Sequence, residues 1–514
     1  CSLAEVNADI LFHVFSFLPP VSIRKEVVFV NKYWNETAGR EVIYVDDKNQ
    51  EDGKWVFSTL QRAIDSCTDY STIIIRNSFI RPVTIHNKHV VISTEGEKVV
   101  IDSDDPIIFD IKSSGVHFSN SLFRVNGHPP LNVIEEAEGV ERSFTIISAC
   151  NSNLSVTDLK LEVKHPHLWR FITSKTSSVR MDNVYLEKLN SVVIGSGSLS
   201  IQNCYFTQLF NTGIDIQEGP VAIHHSVLES KEDLGNAGIL FESTHHSQQL
   251  SDVRIQRFHV GVVCHGTSIF QSCSILHCGA IGICIDNPSD PFLCEIENCE
   301  IDLCSRGISA NNCLLSVLTS HVRHSKCAIY ATSSMTVRIE NCCLHDCKES
   351  ILKCQNVQSL QSSSNSLYDS KIGYDLDNVL YVGMVHNHFM YVSNTVFSLA
   401  GSIERLYLCD NTIIMNCRHA SVQRTAMTFH VDEAEFLGNR LVSDGTIESS
   451  LLDDGDCQRI NQMVLISPIK REEGLYIEKV ETMYSLKLGG LGSGIFVLPA
   501  VVGVLFCFIL FSHR

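Results

Sequence analysis

Three stretches of this sequence align without a gap: Cys294-Glu-Ile-Glu-Asn-Cys-Glu-Ile-Asp-Leu-Cys-Ser-Arg-Gly-Ile308, Leu315-Ser-Val-Leu-Thr-Ser-His-Val-Arg-His-Ser-Lys-Cys-Ala-Ile329 and Val337-Arg-Ile-Glu-Asn-Cys-Cys-Leu-His-Asp-Cys-Lys-Glu-Ser-Ile351. Each begins with alternating apolar and polar residues, the pattern of a strand with one face buried. Each carries a first marker, Asn298-Cys299, Thr319-Ser320 or Asn341-Cys342, and ends on a small residue followed by Ile. The second marker extends outward as Gly213-Ile214, Gly238-Ile239, Gly261-Val262, Gly282-Ile283, Gly307-Ile308, Ala328-Ile329 and Ser350-Ile351, at separations of 25, 23, 21, 25, 21 and 22 residues. The first recurs at Asn203-Cys204 and Ser272-Cys273, and continues as Asn365, Asn387, Asn411 and Asn439.

Short alternating segments repeating every 21–25 residues, punctuated by Asn and Gly, describe one coil of a right-handed parallel β-helix. Asn and Gly tolerate the left-handed backbone that sharp corners require. Stacked coils then place equivalent side chains in ladders. A leucine-rich repeat would need Leu-x-x-Leu-x-Leu, which is absent. The predicted fold is mainly β: a solenoid over residues 71–445, preceded by a helical module at 1–40 and a connector with a capping helix at 41–70. An acidic-leaning segment at 446–487 and a membrane-spanning tail at 488–511 follow it.

Composition narrows the function classes. There are 58 acidic and 40 basic side chains, a net charge of −18, which opposes a nucleic-acid binder. With 19% charged and 44% hydrophobic residues the chain can build a large core and is not a disordered polymer. The 21 cysteines admit disulfides, metal or plain packing. Cys342, Cys343, His345 and Cys347 offer metal-ligand chemistry within six residues. However, Cys273/Cys278, Cys299/Cys304 and Cys342/Cys347 share one spacing at equivalent points of different coils. One cause, packing in ladders, accounts for all three pairs, so no metal and no cofactor is expected. Ladder cysteines about 4.8 Å apart would oxidise in a secretory compartment, and a reducing cytosol is the expected location.

The two ends carry their own signals. Residues 488–511 hold no charge, and Ile495, Phe496, Pro499, Phe506 and Phe511 belong to a run long enough to cross a ~30 Å hydrocarbon core as a helix. Only Ser512-His513-Arg514 follow, so a tail anchor with the bulk of the chain in the cytosol is expected, on an unspecified membrane. At the other end, Val6, Ile10, Leu11, Val14, Phe15 and Leu18 line one face of a helix that stops before Pro19-Pro20. A second apolar run, Val27, Val28, Val30, Tyr33 and Trp34, predicts another short helix.

These N-terminal residues resemble an F-box: Asp9-Ile-Leu-Phe-His-Val-Phe-Ser-Phe-Leu-Pro-Pro20 is similar to its first helix and turn, and Phe29-Val-Asn-Lys-Tyr-Trp34 to its closing segment. Val6-Asn7 stands where the family opens with Leu-Pro. The resemblance implies docking to a Skp-type adaptor and cullin through Ile10, Leu11, Val14, Phe15, Leu18, Pro19, Pro20, Val30 and Trp34. Further on, Val56-Phe-Ser-Thr-Leu-Gln-Arg-Ala-Ile-Asp65 and Ser71-Thr-Ile-Ile-Ile75 resemble the opening of the pectin-lyase-like superfamily, with Phe57, Leu60 and Ile64 on one helix face. The pairing of modules resembles the F-box only protein 10 and 11 family. It implies the substrate-recognition subunit of an SCF-type ubiquitin ligase: the β-helix would bind an unknown protein substrate, and partners would transfer ubiquitin without a catalytic residue here.

Two alternatives stand beside it: a non-catalytic membrane-anchored scaffold and a pectin-lyase-like carbohydrate-active enzyme. Clustered carboxylates would signal the enzyme. The adjacent pairs Asp46-Asp47, Asp104-Asp105 and Asp453-Asp454 lie outside the central coils, and Asp215, Glu242, Asp286 and Glu300 read as solvated strand residues.

Overall fold

A computed structural model describes residues 42–468, with gaps of which 127–143, 416–428 and 444–464 are the longest. The expected adaptor-binding residues from Ile10 to Trp34, and the expected span residues from Ile495 to Phe511, lie outside the described residues. Among the described residues no helix is long and apolar enough to cross a membrane.

The chain divides into two units, Cys1–His246 and Ser247–Arg514. Each is a right-handed parallel β-helix, and every strand pairing described within it is parallel. In the second unit one coil consists of strands Phe292–Glu297, Glu300–Asp302 and Arg306–Asn311. They pair in register with Cys313–Leu318, His321–Arg323 and Cys327–Thr332 of the next coil, 21 residues on. In the first unit Ser191–Ser196, Leu199–Gln202 and Tyr205–Leu209 pair in parallel with Ile214–Glu218, Val221–His224 and Val227–Ser230, with register shifts between Gly195 and Ser196 and between Phe206 and Leu209.

A single left-handed residue makes each corner of the coil. Asn298, Leu303 and Asn312 have φ of 53°, 55° and 51°. The first corner recurs as Ser272, Asn298, Thr319, Asn341, Ser364, His386 and Asp410, the second as His277, Leu303, His324, Asp346 and Asp369. Short polar side chains dominate because they tolerate this region best.

The residue after each first corner turns inward and forms a buried ladder: Cys273, Cys299, Ser320, Cys342, Asn365, Asn387, Asn411 and Asn439. Its side chain accepts the backbone N–H of the rung before it. Cys299 N donates to Ser320 Oγ at 3.0 Å, Cys342 N to Asn365 Oδ1 at 2.8 Å, and Asn387 N to Asn411 Oδ1 at 3.0 Å. Asn203, Asn298 and Asn341 share one sequence marker with Asn365 and its successors. They occupy two positions: the first group makes the corner and the second is the buried rung behind it.

The core is the sum of such ladders. Ile255, Ile275, Ile301, Val322, Leu344, Leu367 and Phe389 form one row, each at most 1% exposed. Burying each is worth roughly 1.5–3 kcal/mol. The small-residue marker has a steric origin. A Cβ on Gly213, Gly261, Gly282 or Gly307 would stand 2.4–2.6 Å from the carbonyl oxygen of the equivalent residue in the next coil. Ser350 falls outside this row: it pairs with Cys327, so Ile351 takes the place opposite Ala328, and Gly373 restores the small residue one coil later.

At the start, the capping helix is shorter than the amphipathic pattern suggests. Val56 and Phe57 form a strand paired with Tyr44 and Val45, and the helix runs over Leu60–Ser66. Thr59 caps its N-terminus, and Leu60, Ala63 and Ile64 are buried. Lys88 Nζ closes the other end, donating to Ile64 O and Cys67 O at 2.7 Å each.

Candidate active site

Strand Ile214–Glu218 carries Asp215 on its outer side, between the inward Ile214 and Ile216. The register sets Asp215 between Ile194 of the preceding coil and Leu240 of the following one. Those two apolar neighbours half-bury the carboxyl group. Its Oδ1 is enclosed and accepts no hydrogen bond among the described residues. Desolvation raises its pKa, the Glu242 charge raises it further, and Arg170 opposes both. A carboxyl group so placed holds its proton more tightly than a surface aspartate.

Glu242 lies one coil on. Its N–H donates to Ile216 O at 3.0 Å, which places it two residues beyond Leu240, the register partner of Asp215. Two residues along a strand return to the same face, so Asp215 and Glu242 are diagonal neighbours on the outer surface. The backbone positions of such neighbours lie roughly 7–8 Å apart. Glu242 is exposed, whereas Asp215 is not. The pair therefore combines a sheltered carboxyl group biased toward its acid form with a hydrated carboxylate. That is the division an acid–base pair needs.

The expectation that Asp215 is merely solvated is thus corrected, and the cause is its flanking by Ile194 and Leu240. The signal was present in the aligned repeats, since those residues stand 21 and 25 positions before and after it. The other acids considered keep structural roles. Asp286 accepts from Asn311 Nδ2 at 2.8 Å, and Glu300 pairs with Arg323 at 2.7 Å.

A second polar cluster lies on the short-strand face of the second unit. Arg323 Nε meets Asp302 at 3.0 Å, His324 Nδ1 meets Asp302 at 2.8 Å, and His345 Nδ1 meets Asp346 at 2.7 Å. The His345 ring stacks on Tyr368 with centroids 4.4 Å apart and planes at 8°. Its charges are consumed within the cluster and His345 is only 4% exposed, so it braces neighbouring coils. The metal-ligand run does not converge. Cys342 and Cys347 are buried, with thiols on backbone carbonyls, while Cys343 contacts Tyr368 Oη at 3.6 Å. No group of three metal-ligating side chains gathers among the described residues. The described cysteines carry thiols, with no disulfide among them.

No protein-family model matches this chain, and no curated protein matches its sequence. Solved structures do share its coil. The catalytic unit of the GH87 alpha-1,3-glucanase from Streptomyces thermodiastaticus matches at 13% identity and a TM-score of 0.37, over 77% of this chain and 68% of that one. A mannuronic acid specific polysaccharide family 6 lyase from human gut microbiota matches at 10% identity and a TM-score of 0.32, over 87% and 94%. Tailspike protein 3 of bacteriophage CBA120 matches at 11% identity and a TM-score of 0.33, over 79% of this chain. The chain spans 62% of that tailspike's length.

These are similarities of fold. The glucanase and the lyase are named for action on polysaccharides, and no family model, an F-box one included, matches this chain. The expected reading as a ubiquitin-ligase receptor without catalysis of its own finds no matching family model and is set aside.

Proposed function

We propose that this chain is a carbohydrate-active β-helix protein that hydrolyses a glycosidic bond, with Asp215 as general acid and Glu242 as general base. The observation that carries the proposal is the unequal pair itself. A half-buried carboxyl group with one unbonded oxygen stands one coil from an exposed carboxylate on the same outer face. Protonated Asp215 gives its proton to the glycosidic oxygen as the bond to the anomeric carbon breaks. Glu242 takes a proton from the water that attacks that carbon from the opposite side.

A membrane tether through residues 488–511 is proposed alongside, supported by the uncharged run there. The test of the activity is a panel of neutral and acidic polysaccharides assayed for new reducing ends, with wild type, Asp215→Asn and Glu242→Gln. Wild-type turnover reduced at least ~100-fold by either substitution supports the assignment. No turnover of any polymer by the wild type, or full activity in Asp215→Asn, removes it.

A further inference from the structure

The strand Ser274–Leu276 pairs with Glu300–Asp302, Ser274 opposite Glu300 and Leu276 opposite Asp302. A cysteine lies beyond each end of both strands. Cys273 therefore stands beside Cys299, and Cys278 beside Cys304, with Glu300 N donating to Cys273 O at 2.8 Å across the first pair. Each thiol donates to a backbone carbonyl two residues before it, Cys273 Sγ to Gln271 O at 3.4 Å, Cys299 Sγ to Glu297 O at 3.3 Å, Cys278 Sγ to Leu276 O at 3.8 Å and Cys304 Sγ to Asp302 O at 3.5 Å. All four are buried, at 1–2% exposure. Adjacent parallel strands run about 4.8 Å apart, inside the 4.4–6.8 Å Cα window of a disulfide.

We propose that Cys273–Cys299 and Cys278–Cys304 are two oxidisable dithiols, each converted to an inter-coil disulfide by a small-molecule disulfide. The thiolate of one cysteine attacks the oxidant to form a mixed disulfide and release one thiol. Its ladder partner, losing its proton, then attacks the protein sulfur and releases the second thiol. Two protein thiols and one disulfide thus become one protein disulfide and two small thiols. The two staples close both ends of the Ser274–Leu276 and Glu300–Asp302 pairing, directly behind the carboxylates that hold Arg323. They belong to the oxidised chain, whichever function it serves, so the inference stands apart from the carbohydrate reading.

An internal control is built in. Cys342 and Cys347 occupy the same two ladder positions, but Ser320 and Ser325 lie between them and Cys299 and Cys304. Two coil spacings make about 9–10 Å, beyond the reach of a disulfide.

The experiment treats the full native chain with excess glutathione disulfide, blocks remaining thiols by alkylation, and digests with proteases that cut at acidic residues. Cleavage at Asp286, Glu297, Glu300 and Asp302 puts Cys299 and Cys304 on separate peptides and leaves Cys273 and Cys278 together on a third. The expected result is loss of four alkylatable thiols, with linked peptides joining Cys273/Cys278 to Cys299 and to Cys304. Cys342 and Cys347 remain alkylated. Cys299→Ser removes its own link and keeps that of Cys304, and Cys304→Ser does the reverse. Retention of all four thiols under conditions that oxidise the denatured chain overturns the proposal, as do links to Cys342 or Cys347.

Discussion

Asn387 Oδ1 accepts both the backbone N–H of Asn365 at 3.2 Å and its side-chain Nδ2 at 2.9 Å, and it also meets Ser362 Oγ at 3.0 Å. One buried oxygen thus serves three donors from the coil before it. Asn387 itself is fully buried, and its Nδ2 donates to Ser362 O at 2.9 Å. Replacing it with alanine leaves the Asn365 N–H unsatisfied in the core. Asn387→Ala is expected to cost about 2–3 kcal/mol. Urea unfolding followed by circular dichroism measures it, and a midpoint equal to wild type would contradict the ladder's role.

Glycine is demanded at some coil positions and tolerated at others. A Cβ on Gly282 would meet Gly307 O at 2.6 Å and Ile301 Cγ2 at 2.8 Å, whereas on Gly383 its nearest neighbour is Leu360 O at 3.8 Å. Gly282→Ala is expected to destabilise by about 1–3 kcal/mol through overpacking. Gly383→Ala should fall within about 0.5 kcal/mol of wild type. Thermal melts of the two variants side by side decide it, and equal losses would refute the close-stacking account.

The proposed acid is held at a cost to stability. Burial raises the Asp215 pKa above its usual 3.8, so the ionised form is penalised in the folded chain. Its contribution to stability is therefore greatest below the unfolded pKa and is lost as pH rises through the folded value. Asp215→Asn carries no charge and escapes that loss. The variant should melt higher than wild type at pH 7 while losing polysaccharide turnover, and the gain should vanish below about pH 3.8. A lower melting temperature at pH 7 would show that the carboxylate is stabilised where it lies.

His388 sets an acid limit. It is 7% exposed, its ladder neighbours are Ser366 and Thr412, and burial together with nearby His386 lowers its pKa from 6.5 to about 4. The unfolded chain takes up this proton first as pH falls. Stability present above pH 6.5 is therefore lost between 6.5 and about 4, at most about 3 kcal/mol from this group. His388→Gln should flatten the stability–pH curve over that interval. An unchanged slope in paired denaturation series at pH 7 and pH 4.5 would assign the loss to other groups.

How far the sequence could be read depends on what sets each feature. The coil follows from local rules: alternation gives strands, and small polar residues give corners at Asn298, Asn312 and Asn341. The helix at Leu60–Ser66 was legible in its apolar face, but not the strand at Val56–Phe57, which exists only because Tyr44 and Val45 lie beside it. Register was legible where successive coils have equal length. It slipped at Ser350, where an additional residue after Cys347 shifts the pairing by one.

By itself, the sequence determined the repeat, the parallel β-helix and the ladder positions of its cysteines, because each is fixed by residue type at a constant period. Only the tertiary structure decided which outward residues meet across coils. Asp215 looks like any surface acid along the chain. Its burial comes from Ile194 and Leu240, which approach only when the coils stack, and Glu242 becomes its neighbour for the same reason. Composition and periodicity describe one coil, but the chemistry of a solenoid wall belongs to two or three coils at once.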